Sequence, residues 1–176
     1  NPEAMRRAVE TQGQSLQQGL AYLQTDLQDH RLPLTDMTAY VVGKDLATTA
    51  GAVVYRNELL EVLHYQPRTK RQRSTPVVII TPWINKFYVV DLTPQQSMVR
   101  HLLDEGFDVY VTSWKNPTAD MGSTTMDDYL CRGIDTAIDT ALQLSGAKEA
   151  HAVGYCIGGA ALTMWLAIEN VRAKAE

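Results

Sequence analysis

The sequence has little cysteine: only Cys131 and Cys156, far apart and without CxxC spacing. That argues against a disulfide scaffold and points to a reducing, cytoplasmic setting. No uncharged apolar run approaches the ~18 residues that span a bilayer, so no transmembrane segment is expected. Neither charge dominates; the net charge is −4, which gives no reason to expect nucleic-acid binding. There is no internal repeat, no low-complexity tract, no Gly-rich phosphate loop and no His/Cys/Asp ligand cluster. Neither a metal nor an organic cofactor is therefore indicated. Histidine is also scarce: His30, His64, His101 and His151 all precede Cys156. What remains is 45% hydrophobic and 20% charged over 176 residues, as in a soluble globular protein of one domain or a large piece of one. The chain opens at Asn1-Pro2 and closes on a charged helical tail with Arg172, Lys174 and Glu176. Both ends read as cut from something longer.

The most informative stretch is Gly154-Tyr155-Cys156-Ile157-Gly158-Gly159. It follows a short apolar run and opens an Ala-rich helical stretch. This is the G-x-nucleophile-x-G layout of a strand-turn-helix elbow, with cysteine at the nucleophile position. Such a turn needs small residues on each side because strand and helix pass close together there. It also sets the thiol at a helix N-terminus, where unpaired N–H groups gather. The plainer alternative is a Gly-rich turn holding a packed cysteine. Three glycines after a strand favour the nucleophile.

Upstream, residues 3–29 predict one helix, with Leu16, Leu20, Leu23 and Leu27 along one face. Residues 53–55 and 59–65 predict an antiparallel hairpin joined through Arg56-Asn57-Glu58. The basic run Arg68, Lys70, Arg71, Arg73 reads as a solvated loop, with attraction of a phosphate-bearing substrate as a second reading. From Pro76 onward the pattern alternates. Residues 77–80 and 109–113 predict buried strands, and 149–154 a third strand that leads into the elbow. Thr93-Pro94-Gln95-Gln96 predicts a capping box opening a helix that stops at Gly106. Thr125 opens another helix ending near Gly146, and residues 160–172 form the helix after the elbow. Strand-helix repetition implies a parallel sheet. A hairpin ahead of it, with the elbow on the fifth strand, is the order of an α/β-hydrolase. The expected organisation is a helical N-terminal segment over residues 1–50 and the first half of a catalytic domain over 51–176.

Several blocks together resemble one family, the polyhydroxyalkanoate synthases. The elbow looks like that family's G-x-C-x-G-G box. Pro82-Trp83-Ile84-Asn85-Lys86-Phe87-Tyr88 with Asp91-Leu92 resembles its P-x-I-N-K-[FY]-Y…D-L segment. Ser113-Trp114-Lys115-Asn116-Pro117 is similar to its S-W-[RK]-N-P loop, which Gly122-Ser123-Thr124 and Asp127-Asp128-Tyr129 continue. Val42-Gly43-Lys44 and Val53-Val54-Tyr55-Arg56-Asn57-Glu58 also match, so the resemblance covers nearly the whole chain.

The resemblance implies an acyltransferase that polymerises (R)-3-hydroxyacyl-CoA into polyester, with CoA as leaving group. Cys156 would carry the acyl chain. The backbone N–H of Ile157 and, from the loop after the first buried parallel strand, that of Ile84 would hold the oxyanion. Gly154, Gly158 and Gly159 would shape the elbow. The family's Asp and His follow the nucleophile and are expected outside this chain. His151 would lie about 16 Å from Cys156 along an extended strand. His64 in the hairpin and His30 in a loop have no evident path to it, and His101, beside Arg100 on a predicted helix, is expected at the surface or facing a partner. Trp114 and Asn116 are expected to anchor a loop. Trp83, Phe87 and Tyr88 are expected in packing, and so is Cys131. The family also implies a homodimer, granule-associated partners and a place at the polyester granule surface. Two alternatives stand beside this: a cysteine-dependent hydrolase of the same fold, and a non-catalytic granule- or synthase-binding protein.

Overall fold

Asn57 determines how the first two strands meet. Its Oδ1 accepts from the N–H groups of Leu59 and Leu60, both at 2.9 Å. This local turn joins β1 (Gly51–Arg56) to β2 (Leu60–Tyr65) as the expected antiparallel hairpin, with a bulge between Val53 and Tyr55. Next come β3 (Val77–Ile80), a small ribbon of β4 (Asp91–Thr93) and β5 (Gln96–Ser97), then β6 (Val109–Trp114) and β7 (His151–Gly154). The structure, a computed structural model, describes residues 1–29 and 38–175; His30 lies outside them.

The main sheet has the order β1-β2-β6-β3-β7. β6, β3 and β7 are parallel, and β2 runs antiparallel to β6. Because side chains alternate across a strand, Val78 and Ile80 join one apolar layer while Val77 and Ile79 join the other. On the second face the layer is completed by Val99 and Leu103 of α3 (Met98–Asp104). On the first it is completed by a long helical segment made of α4 (Met126–Asp128), a π-helical stretch (Tyr129–Asp135) and α5 (Thr136–Ser145), together with α6 (Ile157–Ala175). Helices on both faces of a largely parallel sheet are the expected α/β architecture. β7 is the fifth strand of the sheet and pairs only with β3 among the described residues.

Several boundaries differ from the expectations, each for a local reason. The single helix over 3–29 is two, α1 (Pro2–Glu10) and α2 (Gln14–Asp29). Gln12 and Gly13 take positive φ, at 49° and 86°; glycine makes that break inexpensive. Thr93 does accept from the Gln96 N–H at 3.2 Å, but the chain reverses there into the β4–β5 ribbon. The helix starts later, capped by Ser97, whose hydroxyl accepts from the Arg100 N–H at 2.9 Å. Ser97 is held in the ribbon because it donates to buried Asp91 at 2.5 Å, as Thr49 does at 2.7 Å. The next helix opens at Thr125 and ends at Gly146 with φ 69° as expected, and a capping box with Asp128 starts it, but its second turn widens into the π-helical stretch.

Two compact units are present, Asn1–Tyr40 and Val41–Glu176. Residues 41–50 therefore belong with the sheet rather than with the N-terminal helices. Ala47 donates its N–H to the Asp91 carbonyl at 3.0 Å, and Gln66 donates to Ala50 at 2.9 Å. No helix among the described residues is long and apolar enough to cross a membrane.

Candidate active site

The elbow is built at the carboxyl end of β7. Gly154 stands opposite Ile80 in the ladder, and the next N–H, that of Tyr155, donates to the Ile80 carbonyl at 3.0 Å. Cys156 then takes φ 55°, the left-handed region that a non-glycine residue rarely occupies. α6 starts at the following residue, so the chain reverses direction at Cys156, whose side chain is exposed. A strained, exposed nucleophile position is what the elbow motif requires.

The glycines explain how so sharp a turn packs. A Cβ on Gly158 would lie 2.3 Å from the Ile80 carbonyl oxygen and 3.0 Å from that of Thr81. On Gly154 it would lie 2.4 Å from the Gly159 Cα. Strand end and helix start thus touch backbone to backbone, as the sequence spacing predicted. The Gly158 and Gly159 N–H groups donate to the Tyr155 and Cys156 carbonyls. Among the described residues no acceptor faces the N–H of Ile157, directly after the thiol.

The loop after β3 starts beside this helix, because Thr81 borders Gly158. Thr81 is fully buried and held by Thr112 and Trp114. Its N–H donates to Thr112 Oγ1 at 2.9 Å, and its hydroxyl to the Thr112 carbonyl at 2.6 Å. Its own carbonyl accepts from the Trp114 indole N–H at 2.7 Å. Trp83 turns inward, against Trp114 and Tyr129, with ring centroids 6.0 and 5.0 Å away. Ile84 turns outward and is 69% exposed; no acceptor among the described residues faces its N–H. Farther along, Lys86 Nζ donates to Asn116 Oδ1 at 2.5 Å.

Trp114 and Asn116 therefore anchor loops, as expected, and Trp83 and Phe87 pack against the two apolar layers. Tyr88 is half-buried against Phe87. Trp114 also explains Gly133 of the π-helical stretch, where a Cβ would lie 2.6 Å from the indole Cη2. Cys131 is half-buried on that stretch, its sulfur 3.6 Å from an Arg172 nitrogen. The sequence named Lys86, Trp114 and Asn116 within separate blocks but did not pair them. The signal was present: the two loops leave the carboxyl ends of β3 and β6, which are parallel neighbours.

No described histidine stands at the elbow. His151 opens β7 opposite Val77, at the far end of the strand from Gly154, and meets the Phe107 ring edge-on at 6.3 Å. His64 bonds Asp108 at 2.6 Å and stacks on Tyr110. Burial, and next to it the Asp108 charge, push the Tyr110 hydroxyl pKa well up. His101 is exposed on α3. The basic loop also lies at the far end, since it enters β3 at Val77. Two of its cations are engaged there. Arg68 pairs with Asp104 at 2.6 Å, and Arg73 lies over the Phe107 ring at 4.5 Å. That position favours the structural reading of the loop over substrate attraction at Cys156. Among the described residues no group of three His, Cys, Asp or Glu side chains is placed to hold a metal ion.

A strand-elbow-helix at the end of the fifth strand, with helices on both sheet faces, defines an α/β-hydrolase-fold protein. Residues 75–175 match the "alpha/beta hydrolase fold" family profile accordingly. Residues 1–102 match "Poly-beta-hydroxybutyrate polymerase (PhaC) N-terminus", and the chain belongs to that family. Among similar proteins is the poly(3-hydroxyalkanoate) polymerase subunit PhaC of Cupriavidus necator, 38% identical over 174 residues, covering 99% of this chain and 30% of the relative. The poly(3-hydroxyalkanoate) polymerase of Methylorubrum extorquens is 39% identical over 173 residues, covering 96% and 29%. The PhaC subunit of the archaeon Haloferax mediterranei is 36% identical over 149 residues, covering 84% and 30%. The chain thus spans about 30% of the length of the curated relatives it matches.

Proposed function

We propose that the full-length protein is a polyhydroxyalkanoate synthase, an acyltransferase that builds polyester from (R)-3-hydroxyacyl-CoA through an acyl-Cys156 intermediate. The observation that carries this reading is the exposed Cys156 at φ 55°, clamped between Gly154 and Gly158 in a chain of this family. The Cys156 thiolate attacks the thioester carbonyl, the CoA thiolate leaves, and a new thioester of similar energy remains on the enzyme. A serine ester would be a deeper trap, and cysteine is the better nucleophile near neutral pH. The hydroxyl of a second hydroxyacyl unit, losing its proton to a base, then attacks the acyl-cysteine and lengthens the chain. The backbone N–H groups of Ile157 and Ile84 hold the oxyanion.

We place the base and its orienting carboxylate in the part of the family's length that this chain does not span. That assignment fits the positions of His64, His101 and His151 away from the elbow. The chemistry needs no cofactor, since CoA enters as the leaving group of the substrate. The same reading brings with it a homodimer working at the surface of a cytoplasmic polyester granule, among granule-associated proteins.

The test is CoA release from (R)-3-hydroxybutyryl-CoA by the full-length protein, its Cys156→Ala variant and this chain alone. Release with insoluble polyester from the first only is the expected result. Release that persists in Cys156→Ala sinks the nucleophile assignment. Release without polymer would indicate a thioesterase-type hydrolase.

A further inference from the structure

We infer that the Lys86–Asn116 hydrogen bond and the Trp114–Thr81 hydrogen bond form a two-point latch that positions the Ile84 amide for acyl transfer. Lys86, Asn116 and Trp114 are then positioning residues and touch no substrate. The inference rests on the proposed role of Ile84 as an oxyanion donor.

The geometry is that of a loop fixed at both ends and open in the middle. At its start, Thr81 is fully buried and hydrogen-bonded to Thr112 and Trp114. Near its end, Lys86 reaches across to Asn116 at 2.5 Å. Both anchors come from β6 and the segment directly after it, so one neighbouring strand sets both points. Between them Trp83 is held in the aromatic cluster, while Ile84 presents an exposed side chain and an N–H that no acceptor faces among the described residues. Trp83 and Phe87 are packed on either side, whereas Ile84 at 69% exposure adds nothing to the core, so packing fixes the flanks and leaves the Ile84 peptide itself uncovered. An oxyanion donor must stand within a few tenths of an ångström of its place, and a displacement of about 1 Å can cost about a hundredfold in rate. Phe87 packs the chain after Lys86 against the apolar layer, and the Lys86–Asn116 bond holds the short span between Trp83 and Phe87 on its exposed side.

The test uses the full-length protein and two reactions at one sulfur. Acylation by (R)-3-hydroxybutyryl-CoA, read as the first-turnover burst of CoA, develops an oxyanion. Alkylation by iodoacetamide, read by mass spectrometry on the Cys156 peptide, develops none. Lys86→Met and Asn116→Leu are each expected to slow the burst about tenfold while leaving KM and the alkylation rate within about twofold. The double variant should be no slower than either single one, since one bond is lost in all three. Lys86→Arg, which can still donate to Asn116, should recover most of the rate. Trp114→Phe should slow the burst in the same selective way. The latch is overturned if the single variants leave the burst unchanged, if their effects multiply in the double variant, or if alkylation slows in step with acylation. Retention of the burst in Cys156→Ala is a different result: it refutes the nucleophile reading itself, whatever the latch variants show.

Discussion

In α2, Leu16, Leu20, Leu23 and Leu27 stand on one face at 61, 58, 50 and 65% exposure, whereas Val78, Ile79 and Ile80 of β3 are all at 0%. Both segments carry a regular apolar pattern, one at the helical period and one continuous. The pattern identifies which face of an element is apolar and leaves open what covers it. In the sheet unit the covering elements follow within the same stretch of chain: α3 on one face, and the long helical segment with α6 on the other. In the unit Asn1–Tyr40, α1 has no buried residue. The two units should therefore respond very differently to substitution, and that contrast can be tested.

The largest effect is expected at Gly158. Alanine there puts a methyl group 2.3 Å from the Ile80 carbonyl oxygen, an obstacle made of backbone that cannot rotate away. We expect Gly158→Ala to cost about 3 kcal/mol, at the upper end of overpacking effects. For a domain of this size that lowers Tm by about 6–12 °C in differential scanning calorimetry. A loss below about 1 kcal/mol would mean that strand and helix can part at little cost, and the elbow would then not be the rigid element described. Leu20→Gln is the matching substitution in the helical unit, and it keeps helix propensity nearly constant. With Leu20 at 58% exposure, a change within about 0.5 kcal/mol in urea unfolding is expected. A loss above about 1.5 kcal/mol would show that the leucine face is covered in solution, and the contrast between the units would narrow.

The same contrast explains how much the sequence made legible. The elbow could be read because Gly154 and Gly159 meet as near neighbours in the chain, and the sequence spacing already encodes that meeting; Gly158 answers to Ile80 of β3 but falls within the same motif. The buried strands could be read because a sheet covered on both faces leaves no polar position in Val77–Ile80. Thr93-Pro94-Gln95-Gln96 misled because its local hydrogen bond forms either way. The choice between helix and ribbon falls to Asp91, whose hydroxyl partner Thr49 is 42 residues away. The π-helical stretch was illegible for a similar reason: Gly133 answers to the Trp114 ring on a different strand. Lys86 and Asn116 lie 30 residues apart, and only the parallel pairing of β3 with β6 brings them together. Local constraints showed in the sequence; of those set by a partner strand, only Gly158 did, because a local motif already marked it.

The smallest effect expected is at Asp139 of α5, and it depends on pH. Partial burial, then the Asp135 and Glu169 charges, raise its carboxyl pKa above the usual value. The folded chain therefore holds this proton more tightly than the unfolded chain does. The associated stability is fully present below the unfolded pKa of about 3.9. It is lost as pH rises through the higher folded value. Asp139→Asn removes that slope, so the variant should gain on the parent at pH 7 and match it near pH 3. Because Asp139 is exposed, solvent screening keeps the gain to about 0.3 kcal/mol. Urea unfolding at the two pH values measures it, and a repeat at 1 M salt separates the causes. Repulsion from Asp135 and Glu169 is screened there, with a Debye length of about 3 Å, while the burial contribution persists. A variant less stable than the parent at pH 7 would instead show that the Asp139 carboxylate makes a favourable contact in solution, one that offsets its acidic neighbours.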